Sequence, residues 1–159
     1  MKTQGNLSAE LRALRILYFA MIIGVFFLAA IIIGLSIFDP GKESSLQPYS
    51  VIIVGISGGI ALVCFLFARS VFGKKVGAIR NSSVSVQEKL NLYRTALISY
   101  LAICEAAAIL AIMLYMLTVN YWLLVIAGLM WLAMVLMFPS RQRLYNDLLL
   151  DWKEQQSFE

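Results

Sequence analysis

Four apolar runs, Ile16–Phe38, Val51–Phe72, Thr95–Leu117 and Tyr121–Phe138, leave this chain few ways to fold. At about 1.5 Å rise per residue the longer runs reach roughly 33 Å as helices, against a bilayer hydrocarbon core of about 30 Å. The shortest, Tyr121–Phe138, still meets the usual lower limit of about 17 residues. Buried helices of a water-soluble protein would each carry one apolar stripe, whereas these runs are apolar on every face. Hydrophobic residues make up 61% of the chain and charged residues 14%, far from an ordinary soluble domain. The expectation is an all-α integral membrane four-helix bundle, a single domain over residues 1–159 whose first partner is the lipid bilayer.

Charge gives the orientation. Lys2, Arg12 and Arg15 precede the first run, and Arg69, Lys74, Lys75, Arg80, Lys89 and Arg94 flank the connection between the second and third. Arg141, Arg143 and Lys153 follow the fourth, while the two remaining connections hold only Lys42. By the positive-inside rule both termini and the middle loop are cytoplasmic. The net charge of +4 is therefore read as an insertion signal. It does not point to nucleic acid, because the basic residues are dispersed without base-stacking aromatics between them. The first run exceeds a signal-peptide core and lacks a small-x-small cleavage site, so it is expected to stay as an anchor.

Turn and cap residues mark the boundaries. Asp39-Pro40-Gly41 turns the chain after the first span, and Pro48 precedes the second. Ser85-Val86-Gln87-Glu88 reads as a capping box, which starts the third helix well before its apolar run. Pro139-Ser140 stops the fourth span and restarts a helix with Ser140 as its cap. Leu144, Leu148 and Trp152 can share one face of that helix, which suggests that it lies along the membrane surface, as Leu7–Arg15 is expected to do before the first span.

Within the apolar runs, Glu105 is the one acidic residue at predicted membrane depth, where a carboxylate costs on the order of 3 kcal/mol. Ala102 and Ala108 lie three residues either side of it, and Ala106 follows it, so the carboxyl projects from a small-residue groove. Gly55, Gly58 and Gly59, with Ser57, form a glycine cluster near the same depth of the second span. Such spacing allows helices to approach closely, first within the bundle itself and second against another copy or another membrane protein. No basic residue lies at that depth. The acid must then be protonated, hydrogen-bonded to Ser57, Ser99, Tyr100 or backbone carbonyls, or bound to a cation, and the neutral form is the expectation. Cys64 and Cys104, both inside spans, read as small packing residues rather than a disulfide. With no histidine and one intramembrane carboxylate, neither a metal site nor a haem or other cofactor is expected.

Two resemblances bear on lineage. Glu88-Lys89-Leu90, Tyr93-Arg94-Thr95-Ala96-Leu97-Ile98, Glu105, Leu117-Thr118-Val119-Asn120, Pro139-Ser140-Arg141, Leu148 and Glu154 resemble a family of small four-span proteins found mainly in Bacteroidetes-type bacteria. The resemblance covers Val86 to Glu154 and implies a bacterial inner-membrane protein, but it carries no activity; Ala106 stands where that family tends to have Gly. Gly55-Ile56-Ser57-Gly58-Gly59, Ala78-Ile79-Arg80-Asn81 and Ile103-Cys104-Glu105-Ala106-Ala107-Ala108-Ile109 are similar to the proteolipid c subunit hairpin of rotary ATPases. That likeness implies Glu105 as a proton- or Na⁺-carrying carboxyl and Gly55, Gly58 and Gly59 as a packing ridge. The shorter glycine run, the longer loop and two extra spans depart from it.

Two functional readings follow. The first is a structural or accessory subunit that forms a homo-oligomer or joins a larger membrane complex, with Glu105 as a hydrogen-bonding staple. The second is proton- or cation-coupled transport through Glu105. No paired carboxylates, histidine constellation, nucleophile motif or phosphate loop supports an enzyme.

Overall fold

The computed structural model describes residues 4–38, 46–82 and 84–148. It contains five helices: α1 Gln4–Phe38, α2 Ser50–Arg80, α3 Val86–Thr118, α4 Trp122–Val135 and α5 Arg141–Leu148. No strand occurs among the described residues. Three helices, α1 to α3, are long and apolar enough to cross a membrane. The fourth is apolar but shorter than the expected span, because Pro139 excludes the preceding residues from regular helix and Leu136 and Met137 close it as turns. Its 14 residues cover only about 21 Å.

The first span and the segment before it form one unbroken helix, not the two separate pieces expected. Nothing between Gln4 and Phe38 interrupts the helical ladder, since that stretch contains no proline. A 3₁₀ turn, Gln47–Tyr49, carries Pro48 and leads directly into α2. One half of the expected capping box forms at Ser85, whose hydroxyl accepts the Glu88 N–H at 3.4 Å. Ser140 likewise accepts the Arg143 N–H at 3.1 Å at the start of α5. The Asp39–Gly41 turn and Trp152 lie outside the described residues.

Around the bundle, α3 packs against α1, α2 and α4, and α4 packs against α1 and α2. Consecutive helices α1 and α2 are not packed neighbours but opposite flanks. Each offers one narrow inward stripe: Leu11, Leu14, Tyr18, Ile22 and Val25 on α1; Ser57, Ala61, Ala68, Phe72 and Val76 on α2. Their other faces leave Phe26, Phe27, Ile31, Leu62, Leu66 and Phe67 exposed, an apolar exterior of the kind that meets lipid or another protein.

Polar atoms pin these contacts. The Tyr18 hydroxyl donates to the last carbonyls of α4, Met134 at 2.8 Å and Val135 at 2.9 Å. The Trp131 indole N–H donates back to the Ile22 carbonyl at 3.1 Å. At the other end of α1, Ser36 and Tyr115 share a hydrogen bond of 3.1 Å.

The Thr118–Asn120 connection is tight enough to force Val119 to φ 53°, in the left-handed region, where its N–H bonds the Tyr115 carbonyl at 2.7 Å. A β-branched residue is strained there, by about 1–2 kcal/mol. Val119→Gly is expected to relieve most of this and to raise stability by about 1 kcal/mol, read as a higher midpoint of unfolding in mixed detergent micelles.

Candidate functional site

Glu105 lies on the boundary between the inner and outer faces of α3. Cys104, Ala108, Ala111 and Ile112 are fully enclosed on one side, whereas Ala102, Ala106, Leu110 and Met113 are open on the other. The carboxyl itself is half-buried. Among the described residues it makes no hydrogen bond and no ion pair.

Two of the partners expected for it, Ser99 and Tyr100, are engaged elsewhere. Ser99 is six residues earlier, about 9 Å along the axis and about 120° around it. Its hydroxyl donates to the Thr95 carbonyl at 2.8 Å and accepts from Lys75 Nζ at 3.1 Å. Tyr100 is turned about 140° from Glu105. Its ring meets Phe72 edge-on at 6.0 Å, and its hydroxyl points to the Ala133 carbonyl of α4 at 3.5 Å. Ser57 is buried on the inner face of α2. These four residues therefore do not form one polar cluster. Cys104 is buried and Cys64 half-buried, and both are free thiols.

The small residues divide by direction. Ala108 packs inside, and the position of a Gly58 Cβ lies 3.7 Å from Ile126 Cδ1 of α4. Gly55 and Gly59 face away from the bundle, and a Cβ at either would meet nothing within 4 Å. Within the Gly55, Gly58 and Gly59 cluster, the expected packing inside the bundle is thus confined to Gly58. Gly73 and Gly77 repeat the pattern eighteen residues on, about five turns of helix, and so fall on the same outward face with the same open space. That five-turn spacing was readable in the sequence and is the signal missed there.

A polar knot at the opposite end of the apolar runs was not legible beforehand. The Asp147 carboxylate of α5 accepts from the Tyr93 hydroxyl at 3.0 Å and lies 3.6 Å from Arg143 Nε. Arg80, at the end of α2, donates to the Asp147 carbonyl, and to that of Asn146 at 3.2 Å. Leu144 and Leu148 are buried in this junction, so the apolar face of α5 is covered by protein and not left for a membrane surface. Arg15 joins the same end, its guanidinium 5.8 Å from the Phe138 ring centre. Lys75, Arg80, Arg143 and Arg15 are thereby gathered at one end, while Ser36, Tyr115, Tyr121 and Asn120 form the other. No group of three or more potential metal ligands occurs among the described residues. No family model, curated protein or solved structure matches this chain.

Proposed function

We propose that the protein is a multi-pass protein of a bacterial inner membrane, with four passes and both termini cytoplasmic. In this reading it serves as a structural or accessory subunit that associates laterally with a second copy or a larger complex. The basic residues collected at one end of the bundle support the orientation, since they would stay on the cytoplasmic side. The shorter α4 would be accommodated by local thinning of the bilayer around it.

One observation carries the assembly reading: Glu105 is half-buried beside the open residues Ala102 and Ala106 and lacks a partner among the described residues. A polar group at membrane depth that is unsatisfied within its own chain gains most from a donor on a neighbouring helix, and small flanking residues let that helix approach. The outward Gly55 and Gly59 give α2 a similar open surface.

The same lone carboxyl favours proton- or cation-coupled transport as the second reading. Glu105→Gln separates the two, because Gln keeps size and hydrogen bonding but not the titratable proton. Assembly that survives in Glu105→Gln and falls in Glu105→Ala, read by crosslinking in membranes, is the expected result. Intact assembly with abolished proton flux in proteoliposomes would favour transport instead. If both variants assemble as the parent does and no flux changes, Glu105 has neither role.

A further inference from the structure

Between α2 and α4 runs a lateral groove of about 770 Å³. Its walls are apolar, formed by Ala61, Phe65, Leu129, Met130 and Leu136, and Tyr100 of α3 also lines it. Two guanidiniums, Arg69 and Arg143, sit on its lining as well. We propose that this groove binds one anionic phospholipid, with an acyl chain along the apolar walls and the phosphate between Arg69 and Arg143. The proposal rests on the membrane reading above.

Length and charge argue for this occupant. Gly58 and Arg69 both line the groove and stand eleven residues apart, or about 16 Å along α2, close to the half-thickness of about 15 Å of one hydrocarbon leaflet. A chain laid from Gly58 toward Arg69 would thus bring its headgroup to the basic end of the bundle. The two cations there differ in commitment. Arg143 is held in place: Nη1 donates to the Leu136 carbonyl at 2.7 Å, Nη2 meets Met137 Sδ at 2.7 Å, and Nε faces Asp147 at 3.6 Å. Arg69 is exposed and has no hydrogen bond or ion pair among the described residues. With Asp147 offsetting one of the two, a single positive charge remains, which matches a monoanionic phosphodiester. The apolar walls alone would accept any acyl chain; the guanidiniums select its charge.

The test uses the full chain in neutral detergent, with phosphatidylglycerol or phosphatidylcholine of identical chains added and retention read by native mass spectrometry. The parent protein is expected to retain one phosphatidylglycerol with about fivefold preference. R69Q is expected to lose that preference, and R69K to keep most of it. Equal retention of both lipids by the parent, or an undiminished preference in R69Q, overturns the proposal. Glycerol phosphate, which lacks acyl chains, is expected not to compete; displacement at equal concentration would remove the role of the groove. Intermolecular disulfide formation through L129C would place a second copy in the groove and overturn it too. Alkaline carbonate extraction of native membranes tests the membrane reading separately, since release of the protein there would sink that reading whatever lipid it selects in detergent.

Discussion

Tyr93→Ala is expected to destabilise the protein by about 3–5 kcal/mol, the range for deleting a fully enclosed aromatic ring. Tyr93 has no exposed surface, its ring meets Phe72 of α2 edge-on at 5.8 Å, and its hydroxyl reaches Asp147 of α5 at 3.0 Å. One side chain thus joins three helices at the basic end. Removing it opens a cavity between α2 and α3 and leaves the Asp147 carboxylate with Arg143 as its remaining partner among the described residues, while Arg80 still reaches the Asp147 carbonyl. Tyr93→Phe separates the two contributions. It keeps the ring and loses one hydrogen bond to a charged acceptor, so a smaller loss of about 1.5–3 kcal/mol is expected. Unfolding in mixed micelles of denaturing and neutral detergent measures both. Limited proteolysis after Arg143 adds a local readout, because α5 should be released in Tyr93→Ala before the rest of the bundle opens. Equal stability of Tyr93→Ala and the parent would mean that α5 is not held by this junction.

The helices were legible because their signals are local. Apolar length marks α1 to α3, Ser85 and Ser140 mark two helix starts, and Pro139 marks the end of α4. The order of helices was not legible, because runs that are apolar on every face carry no stripe to say which side turns inward. The inward stripes on α1 and α2 emerge only once α3 and α4 are in place. Beyond the Arg143–Asp147 pair, four residues apart on α5, the Asp147 junction joins residues 54 and more positions apart, and an i,i+4 pair of this kind is also common on an ordinary surface helix. Around Glu105 the three- and four-residue spacing correctly gave its neighbours on α3. It could not give the boundary on which Glu105 sits, since that depends on where the other helices pack. The half-open position of Glu105 is thus a property of the packed bundle and not of the spacing on α3.

That boundary makes a second strong prediction, from two alanines on α3. Ala108 has no exposed surface, so Ala108→Leu must push apart helices already in contact and is expected to cost about 1–3 kcal/mol. Ala106, two residues away, is turned about 200° around the axis and lies open. On the membrane reading proposed above, a larger apolar side chain there meets acyl chains, so Ala106→Leu is expected to leave the fold within about 0.5 kcal/mol of the parent. Its effect should instead appear between chains. If Ala102 and Ala106 form the surface through which Glu105 finds a partner, leucine at 106 holds the neighbouring helix away, and crosslinked species disappear while the monomer remains folded. The two substitutions add the same atoms to the same helix, so composition and helix propensity cancel in the comparison, leaving only direction. The opposite pattern, with Ala106→Leu unfolding the monomer and Ala108→Leu tolerated, would require α3 to turn its other side inward and would contradict the packing of Ala108.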